Sequence, residues 1–470
     1  MVIAPLQTGQ FTHSPLITFI LGLIVVVALL VWLDLPAFIG LILSAFFVGA
    51  VNTVFVADFS GADAATEVAT AFGNGMAGIG IPILMAAVIG KSMLESGAAQ
   101  RIVRGFQNIL GKENSDISLL GSSSLLAIPV FFDSVFYLMA PLARSMRARR
   151  GKDYTLFIVV VGTGAAAAHV FVPPTPGPLA VADEIGSNLG MTILIGLVTA
   201  IPAAGFTGLV YGRWINKRLD IPLRDTMSTT TEELMEVSNR STSVLPGVVE
   251  SSAPILLAVA LIASSTAVNT FQEVAPALST LQPYTNFFGN KNVALTIAAL
   301  AAAYTFYRFN EMDRKEWSEE LTEALKSGGN IAAITAAGGA FGALLAASGI
   351  GSYIANALQE VGIGLMITAW LIAAIVRIAQ GSATAAMLTA AGIMAPLTGQ
   401  LSVHSAYLVM AIGAGGNIFS WFPDSGFWLV SEIGGLTRIE TLKTWTVLTT
   451  LISVTGLITV LTLSSIFPLA

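Results

Sequence analysis

Apolar runs of about 20 residues recur from end to end of this chain, at 15–33, 36–56, 191–211, 248–265 and 444–463. A helix of that length crosses the hydrocarbon of a bilayer, and a soluble core cannot absorb so many. Composition agrees: the 470 residues are 54% hydrophobic and 11% charged, with a mean hydropathy of +0.78. The sequence therefore predicts an all-α integral membrane protein with several spans. The first run is longer than a signal-peptide core and no basic stretch precedes it, so it reads as a retained span. Cysteine is absent, which removes disulfides, thiolate metal sites and cysteine nucleophiles together. A net charge of -6 and a pI near 5.2 argue against a nucleic-acid partner.

Loop charge sets an orientation. Lys and Arg gather in 101–112, 144–152, 213–224, 308–326 and 438–443, which are predicted to be cytoplasmic loops. The N-terminus before His13 and the segments 58–67 and 271–290 carry neither residue, so they are predicted to lie outside, with a periplasmic N-terminus. The two sets alternate if two hydrophobic segments, 118–143 and 363–397, enter the membrane and return to their own side. Re-entrant backbone survives only where protein buries it or water reaches it, so two hairpins imply a solvated interior cavity.

Short repeats support two related halves. The stretch from Ser96 to Ile102 is echoed from Ser348 to Ile354, "MAPL" at Met139 recurs at Met394, and Pro174-Thr175-Pro176-Gly177 is echoed by Pro423-Asp424-Ser425-Gly426, all offset by about 250 residues. The division is 1–212, with a hairpin at 118–143 and a broken helix at 153–186; a linker at 213–243; and 244–470, with a hairpin at 363–397 and a broken helix at 402–435. An odd number of crossings per half inverts the second relative to the first, the architecture of secondary transporters.

The proline cluster from Pro173 to Gly177 explains itself in that setting. A helix broken in mid-membrane frees backbone groups that must find a ligand, water or a neighbouring segment. The positive end of a half-helix favours an anion, so paired breaks facing paired hairpin tips make a site for a small carboxylate. The plain alternative is that the prolines only kink a helix.

At these points the residues also resemble a known family. "GKSMLESGAAQRI" from Gly90, "AHVFVPPTPGP" from Ala168, "RIAQGSATAAMLTAAGIMAP" from Arg377 and "DSGFWL" from Asp424 are similar to signatures of the gluconate permease family, a branch of the ion transporter superfamily. The resemblance implies proton-coupled uptake of gluconate-like sugar acids across a bacterial inner membrane: a small organic anion moved with a proton. It also implies a scaffold and a moving transport domain, a homodimer and an elevator mechanism, with no cofactor and no metal. Thr175, Pro423 and Trp421 stand where the family pattern carries His, Asn and often His, so fewer titratable groups line the expected site.

Asp133 falls mid-hairpin, where an unpaired charge costs roughly 2.5 to 3.5 kcal/mol, and reads as a proton carrier or as a cap on the second arm. His169 is the one histidine inside a predicted core segment; it either faces a substrate carboxylate or titrates, or it satisfies backbone freed at the break. Arg377, roughly 22 Å into the second hairpin, either clamps a carboxylate bidentately or pairs with Asp133 or Asp424. Gln380, Gly381, Ser382 and Thr384 suit polyol recognition. Asp424, Ser425 and Gly426 occupy the second break and match Thr175, Pro176 and Gly177 in the first; Asp424 binds hydroxyls, carries the proton or caps the half-helix. Substrate contacts are thus expected from His169, Pro174, Thr175, Gly177, Arg377, Gln380, Gly381, Ser382, Thr384, Asp424, Ser425 and Gly426, and proton coupling from Asp133, His169 and Asp424.

Other classes fit poorly. Neither H-E-x-x-H nor G-x-S-x-G occurs, so no enzyme is predicted, and "GNGMAG" at Gly73 lacks the strand a dinucleotide fingerprint needs. A channel calls for repeated filter segments. The serious competitor is a sodium-coupled carboxylate carrier or a cation/proton antiporter of the same superfamily, using oxygens of Ser134, Thr175, Ser382 and Thr384.

Overall fold

A computed structural model describes residues 14–469 other than 34, 57–58, 130, 225–244, 272–275, 311, 351–352, 354–363 and 422–423. Among the described residues every regular element is helical, and seven helices are long and apolar enough to cross a membrane.

Two short leading helices, α1 (Ser14–Val27) and α2 (Ala37–Phe55), precede a long one, α3 (Gly61–Glu95). A capping box starts α3: the Ser60 hydroxyl accepts from the Asp63 N–H, and the Asp63 carboxylate accepts from the Ser60 N–H. Then come α4 (Ala98–Leu110), the helix pair α5 (Ser115–Leu126) and α6 (Phe132–Arg150), and an interrupted helix, α7 (Tyr154–Phe171) and α8 (Pro176–Ile185). The first half closes with α9 (Leu189–Asn216). The chain resumes with α10 (Val248–Phe271), α11 (Gln282–Phe288) and α12 (Lys291–Phe309). The order long helix, helix pair, interrupted helix, closing helix then recurs as α13 (Arg314–Ala347), α14 (Leu365–Gln380) with α15 (Ala383–Met394), α16 (Ser405–Asn417) with α17 (Ser425–Gly434), and α18 (Arg438–Ile466).

The interruptions follow from local chemistry. Pro173 and Pro174 have no N–H to continue α7, and α8 restarts with Pro176, whose fixed φ suits a first helical position. The second restart is capped by Asp424, which accepts from the Gly426 N–H at 3.0 Å. Both interrupted helices sit at the centre. All residues of α7 except His169 are buried, the pattern of a helix packed all round. It packs against α5, α6, α9 and α16, while α3 and α13 run along each other beside α2 and α12.

The basic segments read as loops are largely helical. Residues 314–326 form the first turns of α13, 101–110 lie in α4, 144–150 end α6 and 438–443 open α18. Lys, Arg and Glu are good helix formers, and α13, at roughly 50 Å, outruns a hydrocarbon core of about 30 Å, so its charged end continues into water. Asp313 caps it through the N–H groups of Lys315 and Glu316, at 2.7 and 2.8 Å. The segment 271–290, predicted to lie outside, contains α11. "GNGMAG" lies within α3, with no strand before it. Of the linker 213–243, residues 213–216 are helical and 225–243 lie outside the described residues.

Candidate functional site

A cavity of about 400 Å3 opens where four helices begin. Phe132 and Asp133 come from the first turn of α6, Pro176 from α8, Ser382 and Thr384 from the start of α15, and Ser425 and Gly426 from α17. Leu35, Ala37, Ile331 and Ile334 contribute an apolar wall from the α2 and α13 side. Each helix start carries a partial positive charge, part of it already met at α15 by the Ser382 cap and at α17 by Asp424, and the group together favours an anion.

Arg377 lines this cavity from the last turn of α14, with its side chain 3% exposed. Its Nη2 donates to Asp424 Oδ2 at 2.5 Å, whereas Nε and Nη1 are buried without a hydrogen-bond partner among the described residues. A buried guanidinium with two unsatisfied donors is costly, and an anionic ligand can bring acceptors for them. Gly381 allows the approach. At φ +83° it takes a left-handed turn that a side chain would strain, and its N–H closes α14 on Arg377 O at 2.9 Å.

Asp424 is held from three directions. Besides Arg377 and the Gly426 N–H, it accepts from the Ser420 hydroxyl, which in turn accepts from Trp445 Nε1 at 2.5 Å. Of the readings offered by the sequence, the arginine pair and the helix cap are therefore both formed, by one carboxylate.

Asp133 lines the cavity and makes no ion pair among the described residues. It caps nothing: the cap position of α6 is Phe131, and no side-chain cap bond forms there. His169, in the last turn of α7, also lines the cavity, and its Nδ1 lacks a partner.

The sequence-predicted residues do not all converge. Thr175 is buried, and its hydroxyl donates to Val172 O at 2.7 Å, satisfying backbone freed by the break. Pro174 and Thr175 do not line the cavity, and Gly177 packs against Met387. The side chains of Gln380 and Ser134, and all of Pro423, lie outside the described residues. Trp421 donates from Nε1 to Ile378 O at 2.9 Å, tying the second break to α14. Sequence reasoning passed over Phe132, Asn417 and Trp445, which line the cavity, and Ser420, which steadies Asp424. Asn417 carried a usable signal as a polar residue ending an apolar helix; Trp445 carried none, since tryptophan is ordinary in a membrane helix.

Comparison with known proteins bears on this arrangement. Residues 14–466 match the family model described as GntP family permease. The "Gluconate permease" of Pseudomonas aeruginosa is 34% identical over 453 residues, covering 95% of this chain and 96% of that protein. The "High-affinity gluconate transporter" of Escherichia coli K12 is 31% identical over 457 residues, with 96% and 100% covered. The "Gnt-II system L-idonate transporter" of the same strain is 30% identical over 452 residues, with 96% and 99% covered. Among solved structures, the Alcanivorax borkumensis YdaH transporter superposes with a TM-score of 0.60 at 13% identity, covering 92% of this chain and 99% of that one. Neisseria gonorrhoeae MtrF does so with 0.59 at 16%, covering 93% and 96%. At that identity the likeness concerns the fold alone.

Proposed function

This chain belongs to the GntP family, a family of permeases rather than enzymes, and from that premise we propose that it is a secondary transporter carrying gluconate or a related sugar acid or small hydroxycarboxylate into the cell with a proton. The observation that carries the reading is Arg377, buried with Nε and Nη1 unpartnered on a cavity at which four helices begin. The carboxylate end of a sugar acid is matched by those donors and helix ends, and its hydroxyls by Ser382, Thr384 and Asn417. Gly381, Ser425 and Gly426 complete the wall in this reading.

Asp133 is the proton carrier in this scheme. It is the one carboxylate on the cavity without a cationic partner among the described residues, so its charge is the easiest to remove, and His169 stands as an auxiliary donor. The recurring helix order supports two inverted halves, 1–212 and 244–470, joined by 213–243. The helix pairs and interrupted helices then move as one body past α2, α3, α12 and α13, in the manner of an elevator within a homodimer. The setting is a bacterial inner membrane with the N-terminus periplasmic.

Sodium coupling is the second reading, favoured by the Ser382 and Thr384 hydroxyls on the same cavity. Uptake of labelled gluconate into proteoliposomes under an inward proton gradient, a sodium gradient or neither separates the two. Accumulation driven by protons and collapsed by a protonophore is the expected result. Accumulation under sodium alone overturns the coupling, and no uptake in any arm overturns the substrate.

A further inference from the structure

Away from this cavity, the end of α9 changes character abruptly. Leu194, Val198, Ile201, Phe206 and Val210 form an exposed apolar stripe that runs along the helix to Trp214, itself 48% exposed. Within four residues of Trp214 stand Arg213, Lys217 and Arg218, and with Leu209 and Val210 they line an open groove of about 580 Å3. The Arg218 guanidinium lies 4.0 Å above the Trp214 ring. Arg213 is engaged by Asp116 at 2.8 Å, but Lys217 and Arg218 form no ion pair among the described residues.

We propose that this end of α9 is a headgroup site for an anionic phospholipid: the acyl chains lie along the stripe, Trp214 sits at the interface, and the phosphate is taken by Lys217 and Arg218. Three observations converge. An exposed apolar stripe at helical spacing on a span of this length faces lipid tails. Tryptophan at its end marks headgroup depth. Two cations that form no ion pair among the described residues, one turn further on, meet an anionic headgroup where a zwitterionic one brings its own cation. The net charge of the chain is -6, so this basic cluster is local and not a consequence of composition. The Tyr211 hydroxyl donates to Lys443 O, which joins the end of α9 to the start of α18, so a headgroup held here braces the two closing helices together.

Native mass spectrometry and thermal unfolding of the full chain in detergent, with cardiolipin, phosphatidylglycerol, phosphatidylcholine or inorganic phosphate added, test this. Cardiolipin and phosphatidylglycerol are expected to remain bound and to raise Tm, and phosphatidylcholine is not. The variant Lys217→Gln/Arg218→Gln is expected to lose about thirtyfold in affinity for the anionic lipids, at about fivefold per charge. Lys217→Gln alone, which leaves the Arg218 stack on Trp214, is expected to lose about fivefold. Lys315→Gln/Lys326→Gln, which removes two cations already paired with Glu319 and Glu323, leaves lipid binding unchanged. Equal stabilisation by phosphatidylcholine, equal stabilisation by inorganic phosphate, a bound mass equal to a second copy of the chain in place of lipid, or full binding by the double variant each overturns the proposal.

Discussion

Arg377 Nη2 and Asp424 Oδ2 stand 2.5 Å apart, joining the end of α14, in the second helix pair, to the start of α17, in the second interrupted helix. The pair is 3% and 10% exposed, so neither charge is solvated. One carboxylate thus caps a half-helix and fixes an arginine, while Nε and Nη1 of that arginine stay unpartnered among the described residues. The pairing makes a structural role compatible with the proposed substrate role: Asp424 takes a single N–H, on Nη2, and leaves Nε and Nη1 unpartnered among the described residues.

Arg377→Lys separates those roles. Lysine retains a charge for Asp424 but has no fork, so the KM for gluconate is expected to rise about tenfold or more while the protein still unfolds cooperatively near the parental Tm. Near-normal transport kinetics in this variant would show that the arginine serves the ion pair alone. Asp424→Asn, by contrast, strands a buried cation and is expected to cost about 3–5 kcal/mol, seen as a marked drop in Tm.

Asp133→Asn removes the carboxylate that faces the cavity without a partner. Gradient-driven accumulation is expected to vanish while exchange of labelled for unlabelled substrate persists, because binding and the conformational cycle do not need the proton once substrate occupies both sides. Continued accumulation in proteoliposomes removes Asp133 from the coupling step.

Much of this site was legible because prolines, glycines and charges inside a membrane are expensive and stand out. Pro173 to Gly177 and Asp424 to Gly426 marked both breaks, and Arg377 and Asp133 announced themselves as intramembrane charges. What stayed hidden depends on distant chain segments. The partner of Arg377 is 47 residues away, and Asp133 was as good a candidate on depth. Trp445 reaches Asp424 only through Ser420, a relay that no spacing reveals. The basic segments are helical where the sequence predicts loops because charge carries no information on backbone form: residues 314–326 hold Lys and Arg and are helical.

Trp445→Phe keeps the aromatic face, whose ring centroid lies 4.8 Å from that of Phe132, and deletes the Nε1 donor to Ser420. With one hydrogen bond of about 1 kcal/mol removed from the chain that steadies Asp424, KM is expected to rise about fivefold. The companion Ser420→Ala should produce a similar rise and the double variant little more, because both act through one relay. Additive effects would mean that Trp445 influences transport by another route.

Two glycines distinguish close packing that can yield from packing that cannot. A Cβ at Gly413 meets the backbone carbonyl of Val170 in the neighbouring interrupted helix, whereas a Cβ at Gly177 meets the terminal methyl of Met387. A carbonyl fixed in α7 cannot retreat without shifting that helix, but a methionine methyl rotates aside. Gly413→Ala is therefore expected to destabilise by about 1–3 kcal/mol, and Gly177→Ala by clearly less. Thermal unfolding in detergent reads both. If Gly413→Ala costs as little as Gly177→Ala is expected to, α7 and α16 have room to separate and the contact between the interrupted helices is not rigid.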